Sequence, residues 1–131
     1  MKDKEQIIED TLAAFRDKKI LPMFGSFGSL CVVNGTWRLQ AFSDGTKCGC
    51  AVSALVDGTP CTVEVRGGDR AGAAAMQVVK EYGLDDAWGF IFGYDDSPNS
   101  YYSQEDCSIG ARLRERVLQQ FGDEILRREE L

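Results

Sequence analysis

The reactive side chains available to this chain are thiols and carboxylates, because it contains no histidine. That removes Ser-His and Cys-His nucleophile pairs, two-histidine metal sites and the side chain that titrates nearest neutral pH. Cys48 and Cys50 form a C-x-C pair, and Cys31, Cys61 and Cys107 are the other thiols that would have to complete a Cys₄ site. Structural zinc normally shows two C-x₂₋₄-C knuckles, and one unconventional pair does not supply them. The apolar company of Cys31 in "SLCVV" and of Cys50 points to packing thiols instead. The residues therefore predict five free thiols, no bound metal and no cofactor.

The carboxylates are more suggestive. Asp85, Asp86, Asp95, Asp96, Glu105 and Asp106 gather in and beside the ring-rich stretch "WGFIFGYDDSPNSYYSQEDC", Trp88 to Cys107. Two of them facing one pocket would serve as general acid and base, with the rings stacking on a sugar or planar ligand. Nothing in their spacing aims two at one point, so a small carboxylate-dependent hydrolase acting on a sugar or other small polar ligand is the alternative. The leading expectation is a non-catalytic protein that binds a partner or small ligand or assembles with itself, as in a homodimer. Tyr94, Asp95, Asp96, Tyr101 and Tyr102 are its expected binding surface, since tyrosine is enriched where surfaces dry on binding. Trp37, Trp88 and Phe92 are expected in the core. No catalytic residue is assigned.

The loop after these rings has part of the spacing of a calcium loop. Asp95, Ser97, Asn99, Ser103 and Asp106 fall at positions 1, 3, 5, 9 and 12 of an EF-hand-like frame. Ser100 stands where the sharp turn needs glycine, Pro98 occupies position 4, and Asp106 replaces the bidentate glutamate. A turn that ends in a helix cap is the better reading. Likewise "GGDRAG" lacks the Gly-Lys-Ser/Thr end of a phosphate loop and reads as a helix start.

Charge narrows the partners. The net charge of −6 disfavours nucleic acid, whose binding needs clustered Lys and Arg. Arg112, Arg114 and Arg116 are interleaved with acids and read as a solvated helix face. The N-terminal "MKDKEQIIEDTLAAF" carries no apolar leader, and no run approaches the roughly 20 apolar residues of a membrane span. The expectation is a cytoplasmic protein with no membrane partner, in keeping with an odd count of five cysteines.

These residues must be positioned by helices and a little sheet. Ile8, Leu12 and Phe15 predict a helix from Asp3 to Lys18, stopped by Pro22. The duplicated "FGSFGS", Phe24 to Ser29, reads as a loop. "SLCVVNGTWRLQAF" predicts a hairpin turning at Asn34-Gly35, with Trp37, Leu39 and Ala41 on the core face, and "SDGT" predicts a second turn. "CGCAVSALVDGTP" is open between strand and short helix, and "CTVEVR" alternates like a strand. Asp69 predicts a helix cap for about Arg70 to Tyr82, with Ala73, Met76, Val78 and Val79 buried and Gly83 as its stop. Ser103 and Asp106 begin a last helix with a stripe of Ile109, Leu113, Val117 and Phe121; Asp123 would cap a final turn holding Ile125 and Leu126.

For Trp88 to Tyr94 the strand and helix patterns compete. Asp85 as N-cap and Gly93 as terminator favour a helix that buries Leu84, Trp88, Ile91 and Phe92. "CAVSAL" with "WGFIFGYD" is similar to a paired helix-and-turn pattern of small bacterial proteins, over about a third of the chain, which implies the helix but no activity. The 131 residues, 44% of them hydrophobic, suit a helix-rich α+β single domain with a small antiparallel β-hairpin or sheet.

Overall fold

The computed structural model describes residues 2–97 and 99–125. The elements run α1 (Gln6–Asp17), β1 (Ile20–Pro22), β2 (Leu30–Val33), β3 (Thr36–Leu39), β4 (Lys47–Gly49), α2 (Ala51–Val56), α3 (Arg70–Tyr82), α4 (Ala87–Tyr94) and α5 (Gln104–Phe121), then a 3₁₀ turn at Gly122–Glu124. This is the expected helix-rich α+β fold. One continuous core draws on all five helices together with Ile20, Leu30, Trp37 and Leu39 from the strands.

The hairpin forms as its residues dictate. Asn34 and Gly35 sit at φ 51° and 78°, the two positive values that a type I′ turn requires, and β2 pairs antiparallel with β3 from Leu30↔Leu39 to Val33↔Thr36. Trp37 and Leu39 face the core, whereas Ala41 lies beyond the strand and is exposed. The Trp37 indole donates to Gln77 Oε1 of α3 at 2.8 Å, which satisfies its polar edge in the interior. The "SDGT" segment turns as expected, with the Asp44 carboxylate accepting from Thr46.

Pro22 does not stop α1, which ends at Asp17; it is the last residue of β1, a strand parallel to β4 that the sequence pattern does not announce. "CTVEVR" keeps its alternation in burial, with Cys61, Val63 and Val65 half-buried between exposed neighbours, yet it forms no strand: its pairing stops at the isolated bridge Thr36↔Pro60 and the Cys61 N–H on the Gly35 carbonyl. Met76 points to solvent on α3, while Ala73 and Val78 are buried and Val79 is half-buried. Asp69 caps α3 through Gly72 N–H, and Gly83 closes it at φ 67°.

The C-terminal half is organised by α4 lying on α5. Ser103 caps α5 by accepting from the Asp106 N–H, and Ile109, Leu113 and Val117 are fully buried. Phe121 is half-buried and meets Phe15 edge-on at 5.9 Å. The final turn forms earlier than expected: the 3₁₀ turn at Gly122–Glu124 contains Asp123 instead of being capped by it, and Ile125 follows it half-buried, while Leu126 lies outside the described residues. Asp86 rather than Asp85 caps α4, and Gly93 lies inside the helix rather than ending it. A Cβ on Gly93 would collide with the Cys107 carbonyl, and one on Gly110 would collide with the Phe90 carbonyl. Glycine at both positions lets the two backbones touch, and this close approach fixes which side of α4 is buried.

Candidate functional site

The largest difference from expectation concerns α4's faces. Trp88 is 38% exposed and Phe92 half-buried, where both were expected in the core. Phe90 and Tyr94 occupy the core instead, at 0% and 1% exposure. Contact through Gly89 and Gly93 turns Phe90 and Tyr94 inward and leaves Trp88 and Phe92 on the other side.

Between that outer side of α4, the loop Phe24–Gly28 and the start of α2 lies a cleft of about 200 Å³. Phe27, Trp88 and Phe92 form its half-exposed rim, while Cys50, Val52 and Tyr94 form its buried floor. The rim rings continue outward as a ladder. Phe27 meets Trp88 at 6.4 Å, Trp88 meets Phe92 at 6.3 Å, Phe92 meets Tyr102 at 5.3 Å, and Tyr102 meets the 87%-exposed Tyr101 at 5.7 Å.

The duplicated "FGSFGS" builds one wall of this cleft. Phe24 turns inward, 4.7 Å from the Tyr94 ring and under the Arg114 guanidinium at 4.2 Å, whereas Phe27 joins the rim. The loop is pinned at both ends. The Gly25 N–H donates to Asp95 Oδ1 at 2.9 Å, and the Ser53 hydroxyl of α2 donates to the Phe27 carbonyl. Gly28 passes so close to the Cys48 carbonyl that a side chain there would collide with it.

Three polar groups attend the cleft. Burial pushes the Cys50 thiol up to about 11, against the smaller opposing effect of hydrogen bonding at Ser53, so it is a neutral thiol at neutral pH. Burial likewise raises Asp95, opposed by the Gly25 N–H and by the charge of Arg114. The Tyr94 hydroxyl is buried and has no hydrogen-bond partner among the described residues. Its pKa stands well above the usual tyrosine value, through burial first and the neighbouring Cys50 and Asp95 next. An unpaired buried hydroxyl costs about 1–3 kcal/mol.

The six acids do not converge. Asp95 alone lines the cleft. At the opposite end of α4, Lys4 Nζ gathers Asp85, Glu105 and the fully buried Asp106 at 3.2–3.3 Å. Asp106 also accepts from the Asp86 N–H, and Asp86 caps α4. Asp96 is exposed. The residues of the calcium frame are spent on local structure: Asn99 accepts from the Tyr101 N–H and Ser103 caps α5, while Pro98 lies outside the described residues.

Of the expected binding residues, Asp95 and Tyr94 line the cleft, Tyr94 from inside rather than from the surface. Tyr101 and Tyr102 extend its aromatic rim, and Asp96 does not line it. Phe27, Cys50, Trp88 and Phe92 were missed as site residues. The paired "FGS" was the available signal, since a repeated aromatic in a glycine loop puts rings where no regular element would.

The arginines have structural partners. Arg112 and Arg116 pair with Glu5 and Glu9 of the N-terminal segment, and Arg114 donates to the Tyr94 carbonyl. All five cysteines are free, and no three Cys, Asp or Glu residues among the described residues come together to hold a metal ion. No described helix is long and apolar enough to cross a membrane. No family model matches the chain, and no curated protein or solved structure is significantly similar to it.

Proposed function

We propose that this is a non-catalytic binding protein whose cleft takes a small ligand with a flat, apolar body. The observation that carries this reading is the unpartnered Tyr94 hydroxyl buried against an open cleft rimmed by Phe27, Trp88 and Phe92. Rings on the rim bury large areas at little entropic cost, and a lone polar group beneath them orients what enters. The volume sets the ligand's size. A cavity of about 150 Å³ takes benzene, so this cleft suits one ring with a short side chain. The separation of Asp95 from the acids around Lys4 supports binding over two-carboxylate hydrolysis, because no second acid flanks a ligand there.

A second reading, self-association through the outer end of the ladder, draws on the exposure of Tyr101. It predicts a concentration-dependent mass that Tyr101→Ser abolishes. The five free thiols support a reducing compartment such as the cytoplasm.

Titration of the isotope-labelled protein with 2-phenylethanol tests the main reading. The amides of Gly25 to Phe27, Ala51 and Val52 and the Trp88 indole should shift together at millimolar probe. Shifts confined to other surfaces, or none at all, would reject it.

A further inference from the structure

Resting on the reading of the cleft as a ligand site, we infer that its ligand is a cationic amine carried on an aromatic or similarly flat body. The cleft offers one carboxylate, Asp95, beside three rim rings, Phe27, Trp88 and Phe92. Ring faces attract cations, and a half-buried carboxylate is a strong partner for an ammonium group.

The charged groups around Asp95 favour a positive visitor. From the loop, only the Gly25 N–H reaches it, on Oδ1. From α5, the charge of Arg114 lowers the Asp95 pKa, but its guanidinium lies on the Phe24 ring and donates to the Tyr94 carbonyl rather than to Asp95. Among the described residues no Lys or Arg nitrogen comes within ion-pair distance of Asp95. From α2 and α4, Cys50 and Tyr94 are neutral, since burial holds both protonated. The carboxylate is therefore desolvated without an ion pair, and an incoming ammonium compensates it where an anion would be repelled. The net charge of −6 adds attraction at long range.

The test compares three probes of one shape: phenethylamine, 2-phenylethanol and phenylacetate, titrated into the full chain and followed at the cleft amides and the Trp88 indole. Phenethylamine should bind about tenfold more tightly than the alcohol, and phenylacetate most weakly. Asp95→Asn keeps an acceptor for the Gly25 N–H, and in that variant the amine-to-alcohol ratio should fall towards one. The wild type supplies a check that needs no variant. Amine affinity should decline as pH falls from about 7 to about 4 and Asp95 takes up its proton, while alcohol affinity should not. Equal binding of amine and alcohol, or a preference that survives Asp95→Asn, overturns the amine assignment and leaves the cleft as a neutral-ligand site. If none of the three perturbs the cleft, the binding reading and the amine assignment fall together.

Discussion

Tyr94 and Trp88 exchange the roles that residue type suggests, and the exchange explains the site. In α4 the stretch "AWGFIFGY" is apolar all round, so hydrophobic periodicity gives no contrast by which to choose the buried face. Counting steps of four from Leu84 selects Trp88 and Phe92, but the small residues Gly89 and Gly93, also four apart, mark the side that packs on α5. Asp95 could be read as a site residue because it follows the rings in a turn; Phe27 could not, because its place comes from contacts distant in the chain, the Ser53 hydroxyl on its carbonyl and the Trp88 ring beside it, in a loop that Asp95 holds at Gly25. A hydroxyl that serves packing would have a partner, and Tyr94's has none among the described residues. Tyr94→Phe keeps the ring against Phe24 and deletes only the orphan group. Stability should rise by up to about 1 kcal/mol, read as a higher urea midpoint, while affinity for the cleft probes falls. A lower midpoint with unchanged probe binding would show that the hydroxyl is structural.

Elements were legible where the sequence carries its own boundary chemistry. The hairpin, α3 and α5 begin or turn at Asn34-Gly35, Asp69 and Ser103, and each forms there because a side chain or a positive φ satisfies the local backbone. The parallel β1–β4 pair and the strandless 61–66 segment were illegible for a complementary reason. Strand formation depends on a partner, and the partner of β1 lies 27 residues away across the hairpin, at Ile20↔Lys47. The α4–α5 contact is the element-scale device on which the cleft depends, because it turns Trp88 outward and seats Tyr94. Gly110→Ala tests it. The added methyl meets the Phe90 carbonyl and the Tyr94 N–H, backbone groups that cannot move without shifting α4. Although alanine is the better helix former by about 1 kcal/mol, overpacking should win and cost about 1–3 kcal/mol net. A gain in stability would mean that the two helices stand further apart.

Across the whole molecule, the buried or paired protons determine how the fold responds to alkali. Cys50 is raised to about 11 by burial, and Tyr82 is raised by burial together with its hydrogen bond to Asp10. Tyr94 is raised as well. For Lys4, desolvation works against the charge, but hydrogen bonds to Asp85, Glu105 and Asp106 outweigh it and hold the ammonium above its usual range. In each case the folded chain keeps a proton that the unfolded chain gives up sooner, so unfolding is favoured progressively as pH rises through the unfolded values. Cys50 begins this loss near its unfolded value of 9.0 and completes it near 11, and the tyrosines and Lys4 follow from about pH 10 upward. Lys18 alone runs the other way: burial among the last carbonyls of α2 lowers it, so the fold is relieved as that lysine deprotonates. Burial raises Cys48 as well, and at Lys2 ion pairing with Asp10 and Glu81 outweighs desolvation and raises the ammonium, so six groups against one predict a net loss. The urea midpoint should hold near neutral pH and fall steadily between about pH 9 and pH 11. Cys50→Ala should flatten the first part of that fall, because it removes the fully buried one of the two thiols, Cys48 and Cys50, that titrate from about pH 9. Lys4 is the second lever, since it ties the N-terminal segment to the starts of α4 and α5. Lys4→Met should lower the midpoint already at neutral pH and reduce the decline above about pH 10. A midpoint flat to about pH 11 in the wild type would mean that these groups stay in contact with water, and with it the sealed floor assigned to the cleft would be lost.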